Sequence, residues 1–210
     1  MKQPLLIYGT TNPGKLAAMR QTLAPLGIPI TGIGEIAADI PDVAETGLSP
    51  LENARLKALA YHAALNQTVF ACDSGLMIDG LPEAEQPGVH VRLANGKRMT
   101  DAEMTAHYAA IAARLGGRAA ARYQNAICLI TAEGTLYEHS GDDISGETFY
   151  LISTPHPKRV AGFPLDCLSV RTDNGRYYYD CPPPADNATQ PDAGFRAFFR
   201  NVLRAEMEEA

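Results

Sequence analysis

The 210-residue chain is 46% hydrophobic and 20% charged, a globular composition whose length allows one large domain or two closely packed lobes and makes disorder an improbable main state. With 24 acidic against 18 basic side chains and a formal charge of −6, it lacks the basic excess that a broad grip on nucleic acid or an anionic membrane requires, while a local basic pocket is compatible with it. No apolar run approaches the roughly 20 residues of a spanning helix and the start is too briefly apolar for a secretory signal, so a cytoplasmic protein is expected.

Leu5-Leu6-Ile7-Tyr8 reads as a short strand, residues 9–14 as a tight loop and residues 15–26 as a helix, with Leu16, Met19, Leu23 and Leu26 at helical spacing. Residues 28–43, broken by proline and glycine, are expected to be irregular or extended. Ser49-Pro50-Leu51-Glu52 opens a second helix: Ser49 caps, Pro50 suits the first helical position and Glu52 completes a capping box. It runs to about Leu65, and its alanines suit close packing on a sheet. Val69-Phe70-Ala71-Cys72 is read as a buried strand ending in a turn at Asp73-Ser74-Gly75, with residues 76–78 resuming after it. Thr100-Asp101-Ala102-Glu103 is a second capping box, for a helix that stops at Gly116-Gly117. Strands are expected at 126–131, 135–139 and 148–153, in a hairpin-rich sheet. Residues 181–194, rich in Pro, Asn and Asp, read as a surface loop before a last helix with Phe195, Phe198, Phe199 and Leu203 on one face. The cysteines Cys72, Cys128, Cys167 and Cys181 show no zinc or C-x-x-C spacing and are expected to be reduced thiols.

Four segments carry candidate chemistry. Gly9-Thr10-Thr11-Asn12-Pro13-Gly14-Lys15 matches G-x-x-x-x-G-K, the spacing of a phosphate-cradling loop. Leu16 lacks the hydroxyl with which a P-loop holds Mg²⁺, which weakens an enzyme of that type releasing orthophosphate. Free amides, two hydroxyls, a carboxamide and an ammonium remain, a set suited to polyphosphate; an ordinary strand-to-helix turn is the alternative. Glu45-Thr46-Gly47 precedes the second helix, on which Asn53 and Lys57 share a face, so that a carboxylate and an ammonium could meet one ligand. A solvated charged face, with Glu52 serving only the cap, is the alternative. Asp73 ends an apolar strand, where a carboxylate can orient or deprotonate water or bind Mg²⁺; the alternative is an Asx-turn. Phe163 could stack on a base and Asp166 read its edge, against a plain buried phenylalanine in a turn.

Together these segments resemble the inosine triphosphate pyrophosphatase family. Thr10-Thr11-Asn12-Pro13-Gly14-Lys15 is similar to its T-G-N-x-G-K loop, and Glu45-Thr46-Gly47 with Glu52-Asn53-Ala54 and Lys57-Ala58 to its long E-T-G…E-N-A-x-x-K-A segment. Ala71-Cys72-Asp73-Ser74-Gly75-Leu76 with Asp79 resembles A-D-D-S-G-L-x-V-D, Pro87-Gly88-Val89 with Arg92 resembles P-G-V-Y-S-A-R, and residues 162–166 resemble G-F-G-Y-D. The resemblance implies an elongated α/β fold with a central curved mixed β-sheet flanked by helices, two lobes with the active-site cleft between them, and a homodimer. It implies Mg²⁺-dependent hydrolysis of non-standard purine nucleoside triphosphates to the monophosphate and pyrophosphate. By it, Thr10, Thr11, Asn12, Gly14 and Lys15 bind the triphosphate, Glu45 and Asp73 hold Mg²⁺, and Asp73 is the general base. Lys15 offsets phosphate charge, Ser74 touches phosphate, Lys57 adds positive charge, and Phe163 with Asp166 helps form the base pocket. The chain departs from the pattern at Cys72, where an Asp is usual, and at Gly194-Phe195-Arg196, where the base-gripping S-H-R would fall; Arg196 keeps the cation. These departures leave open a nucleotide-binding member with weak turnover.

Overall fold

The fold is described from a computed structural model over residues 6–94, 96–182 and 190–208, with side chains described at 6–94, 96–182 and 191–206. Leu5 and residues 183–189 of the expected loop lie outside the described residues.

In chain order the elements are β1 (Leu6–Tyr8), α1 (Pro13–Leu23), β2 (Ile30–Gly32), α2 (Pro50–Leu65), β3 (Val69–Ile78), β4 (Leu93–Ala94), β5 (Lys97–Arg98) and α3 (Asp101–Arg114). β6 (Arg118–Ile130), β7 (Leu136–Ser140), β8 (Phe149–Ile152), β9 (Ser169–Arg171) and α4 (Gln190–Glu208) follow. The Ser49 cap and the Thr100–Glu103 box read from sequence are in place, whereas the box expected of Glu52 with Ser49 is not closed. Ser49 Oγ accepts from Glu52 N, and Thr100 with Glu103 closes a reciprocal box, each such cap contributing about 1 kcal/mol. Glu52 reaches one residue further than a capping box requires and accepts from Leu48 N at 2.7 Å. α1 begins two residues earlier than its apolar spacing suggests, because Asn12 caps it and Pro13 takes the first helical position.

The sheet is mixed, in the order β2-β1-β3-β6-β8-β9 with β7 on β6. The chain divides into two compact units. The first takes its described residues from Met1–Ser74, Gln124–Gly146 and Ala188–Ala210. Here β1 runs parallel to β2 (Leu6↔Ile30) and to β3 (Tyr8↔Phe70), and β7 is antiparallel to the later half of β6 (Ile127↔His139). Period-two alternation assigns the faces. Leu6, Tyr8 and Phe70 point into a core shared with Leu16, Met19 and Leu23 of α1 and Phe195, Phe198 and Phe199 of α4. On the opposite face, Ala71 meets Ala54 and Ala58 of α2, while Ile7 and Val69 meet Tyr61. Each fully buried large side chain, Phe70 and Phe199 among them, contributes about 1.5–3 kcal/mol.

The second unit draws on Gly75–Tyr123 and Glu147–Asn187. The early half of β6 pairs antiparallel with β8 (Arg118↔Ile152, Ala121↔Phe149), and β8 with β9. Met104, Tyr108 and Ala112 of α3 share a core with Leu76, Ile78, Ala119, Ala121, Leu151 and Leu168.

Three expectations are corrected. β3 does not end in a turn at Asp73-Ser74-Gly75 but continues to Ile78, so Asp73 is a mid-strand residue and not an Asx-turn. β6 starts at Arg118, because Ala119 and Ala121, weak strand formers by propensity, are recruited by burial against α3. α4 begins at Gln190, so Gly194 lies within the helix and not in a loop. A Cβ at Gly194 would fall 2.2 Å from the Asp143 carbonyl oxygen; glycine there is what lets the helix approach that backbone. Among the described residues no helix is long and apolar enough to cross a membrane.

Candidate active site

The first unit assembles the site from three elements. The pleat of β3 sends Phe70 and Cys72 to the α1/α4 face and Ala71 and Asp73 to the α2 face. On α2, Asn53 and Lys57 are one turn apart and both buried, so both side chains meet Asp73. Lys57 Nζ donates to Asp73 Oδ1 at 2.8 Å, to Glu45 Oε1 at 3.0 Å and to the Cys72 carbonyl at 3.1 Å. Two carboxylates remote in sequence thus converge on one ammonium. Burial by itself lowers the Lys57 pKa, but the charges of Asp73 and Glu45 and their hydrogen bonds more than offset this and hold it above the ordinary lysine value.

Asn53 closes the arrangement. Its Oδ1 accepts from Gly47 N at 2.8 Å, and its Nδ2 donates to Asp73 Oδ2 at 3.2 Å. Sequence placed Asn53 on the face of Lys57 without giving it a role, and the E-N-A spacing was the available signal.

The third element is the β1–α1 junction. Asn12 Oδ1 accepts from Gly14 N at 2.8 Å and Lys15 N at 3.3 Å, and Thr10 Oγ1 accepts from Asn12 N at 3.2 Å. The expected free amides are therefore capped by the loop's own side chains. The Lys15 ammonium makes no ion pair or hydrogen bond among the described residues. Burial, and then the charge of Lys57, hold its pKa below the ordinary value, against the opposing pull of Asp73, Cys72 and Glu45. No acidic residue sits in the first turn of α1, so the helix dipole adds to this positive field. Thr11 is exposed, and Ser74 is half-buried on the same strand face as Cys72.

Cys72 stays a neutral thiol. Burial pushes it up to about 12, and it hydrogen-bonds the Tyr8 hydroxyl, whose own pKa burial also raises. Because it points to the opposite face from Asp73, it supplies no side-chain ligand where Glu45 and Asp73 meet. Sequence gave no sign of Tyr8 beyond its place at the end of a strand. All four cysteines are free.

The residues fit a hard divalent cation in a limited way. Glu45 is half-exposed with one oxygen engaged by Lys57, and each Asp73 oxygen holds one partner and keeps acceptor capacity. Mg²⁺ takes one or two carboxylates, completing its shell with water and substrate phosphate, and two oxygen donors meet that demand. Among the described residues no group of three or more His, Cys, Asp and Glu forms a full metal cage.

In the second unit the 162–166 segment is pinned by Asp101, whose oxygens accept from Gly162 N at 2.9 Å and from Arg92 at 2.8 Å. Thr105 Oγ1 donates to the Pro164 carbonyl at 3.1 Å. Phe163 is half-buried, while Asp166 makes no side-chain hydrogen bond among the described residues and is pushed up to about 6 by burial. Arg196 is half-buried on α4, in the first unit.

The model of the Ham1 family matches residues 6–169, which include every one of these groups except Arg196. The chain belongs to the Ham1 family. The dITP/XTP pyrophosphatase of Rhodopseudomonas palustris is 37% identical to it over 177 residues, 82% of this chain and 80% of that protein. That of a Bradyrhizobium strain is 35% identical over 180 residues, covering 82% and 78%. The structure of a Ham1 protein from Coxiella burnetii superposes with a TM-score of 0.70 at 24% identity, over 99% of this chain and 100% of that one, which shows the shared fold. The Ham1 match ends before α4, so the aromatic face of that helix and Arg196 lie outside the part carried by the family model.

Proposed function

We propose that the protein hydrolyses non-standard purine nucleoside triphosphates, of the inosine and xanthine kind, to the nucleoside monophosphate and pyrophosphate. The observation that carries this reading is the meeting of Glu45 and Asp73 on Lys57 Nζ, in whose field the Lys15 ammonium stands without a partner among the described residues. The names of the relatives support the substrate class.

Lys15 and the dipole of α1 receive the triphosphate tail, with Thr10, Thr11, Asn12, Gly14 and Ser74 as further contacts. Glu45 and Asp73 would hold Mg²⁺, which when bound offsets phosphate charge and makes the attacked phosphorus more electrophilic. Asp73 accepts the proton of the attacking water as a new P–O bond forms and the α–β anhydride bond breaks, pyrophosphate leaving with the bond electrons. Lys57 keeps Asp73 compensated before the reaction, and with Lys15 it stabilises charge on the leaving group. Phe163, Asp166 and Arg196 are the proposed base contacts. The motif resemblance also supports a homodimer, which light scattering of the purified protein tests, and a cytoplasmic location.

A panel of ITP, XTP, dITP and the common nucleotides, scored by pyrophosphate with and without Mg²⁺, tests the reading. Release of pyrophosphate from the inosine and xanthine nucleotides, dependent on Mg²⁺, is expected. Ligand-induced thermal stabilisation without product would instead favour a binding protein of the same fold, and orthophosphate release a different reaction.

A further inference from the structure

We propose that Asn53 is a positioning residue that fastens the Glu45 loop to Asp73 and so sets the separation of the two carboxylates presented to a divalent cation. The clamp itself is read from geometry; its consequence for a cation rests on the function proposed above.

Asn53 is 1% exposed, and its side chain joins two segments outside its own helix, the Gly47 loop and β3 at Asp73. Gly47 N–H can only donate, so Oδ1 must face it, which turns Nδ2 toward Asp73 Oδ2. The orientation of the amide is therefore fixed by chemistry. A planar carboxamide on a one-carbon stem is a short, stiff spacer. Lys57, the other bridge between Glu45 and Asp73, is a point charge on a flexible four-carbon stem that can follow the loop through a range of positions. Lysine thus supplies attraction and asparagine supplies distance.

Gly47 shows how tightly the loop is seated. A Cβ there would lie 2.7 Å from Asn53 Oδ1, 2.7 Å from Glu52 Cβ and 3.0 Å from Asn53 N, so any larger residue must lift the loop from α2. The next amide, Leu48 N, is held by Glu52 Oε2 at 2.7 Å. Glu45 lies two residues before this anchor with its side chain 48% exposed, and its position follows from how Gly47 is held. Removing the amide leaves Gly47 N–H without its acceptor and Asp73 Oδ2 without its donor.

The test titrates the full-length protein with Mn²⁺ alone, followed by electron paramagnetic resonance, and measures kcat and KM separately for the preferred nucleotide. Asn53→Leu removes the clamp, and Gly47→Ala lifts the loop while leaving the Asn53–Asp73 bond available. Each is expected to weaken Mn²⁺ binding by about tenfold or more and to lower kcat, while KM changes by less than about threefold. Should Asn53→Leu fail to fold, Gly47→Ala carries the comparison. A role in stability alone would lower the melting temperature and leave Mn²⁺ affinity of the folded protein unmoved. That result, or a wild-type protein that binds no Mn²⁺, overturns the proposal. Wild-type Mn²⁺ binding with the predicted losses but no pyrophosphate release would remove the proposed reaction and leave the clamp standing.

Discussion

Lys57 Nζ lies 2.8 Å from Asp73 Oδ1, with the two side chains only 10% and 9% exposed. Each charge is tolerated in the interior because of the other, and Glu45 adds a second acceptor at the rim. Removing one partner of such a pair costs about 3–5 kcal/mol, because the survivor is left buried and uncompensated. Lys57→Met is therefore expected to lower unfolding free energy by about that amount in urea titrations, beyond any loss of activity. A change below about 1 kcal/mol would show that Asp73 is not held as described.

Lys15 has no ion-pair partner among the described residues and a pKa lowered by burial, so it gives up its charge at a lower pH than an ordinary lysine. Its sign is opposite to that of Lys57: the folded state binds the Lys15 proton less tightly than the unfolded state, and the lost proton removes attraction for phosphate. Triphosphate affinity should fall on the alkaline side before an ordinary lysine would titrate. In Lys15→Arg this fall should disappear, and Lys15→Ala should weaken triphosphate binding far more than nucleoside binding. Calorimetry across pH compares the three proteins; equal losses for triphosphate and nucleoside would contradict the assignment.

Asp166 is pushed up to about 6 by burial, against an unfolded value near 3.9. The folded state holds this proton more tightly, so the contribution of Asp166 makes stability fall as pH rises through the window between those values, and constant above it. Asp166→Asn should flatten that window and raise stability at neutral pH by on the order of 1–3 kcal/mol, if it introduces no new strain. Melting temperatures from pH 4 to 7 read this directly; an unchanged profile would mean that the carboxyl is solvated.

Gly194→Ala separates helix propensity from packing. An alanine in a helix interior normally gains up to about 1 kcal/mol over glycine. Here its Cβ would meet the Asp143 carbonyl oxygen at 2.2 Å, so a net loss of about 1–3 kcal/mol is expected by chemical denaturation. A stabilised variant would show that α4 is not seated on residues 143–144.

The local signals in the sequence carried well where they are local. Ser49, Thr100 and Glu103 act on amides one turn away, and the structure holds their caps as read. Asp73 was misread as a strand end because its charge interrupts an apolar run. What permits that charge inside β3 is Lys57, sixteen residues earlier on another element, and no window of sequence around Asp73 contains it. The alanines of β6 and the glycine of α4 failed for the same reason, since burial against α3 and the approach to Asp143 are tertiary events. The candidate-site residues Lys15, Glu45, Lys57 and Asp73 were legible as motifs. Their convergence, the clamp by Asn53 and the opposite-facing Cys72 follow from the pleat of β3 and required the fold.

The most direct measurement is pyrophosphate release by Asp73→Asn beside its nucleotide affinity. Asparagine matches the shape of aspartate but cannot take the proton of the attacking water. Release is expected to be abolished while the triphosphate still binds through Lys15 with largely unchanged affinity. An Asp73→Asn protein that releases pyrophosphate at the wild-type rate would contradict the role assigned to the carboxylate at the centre of the site.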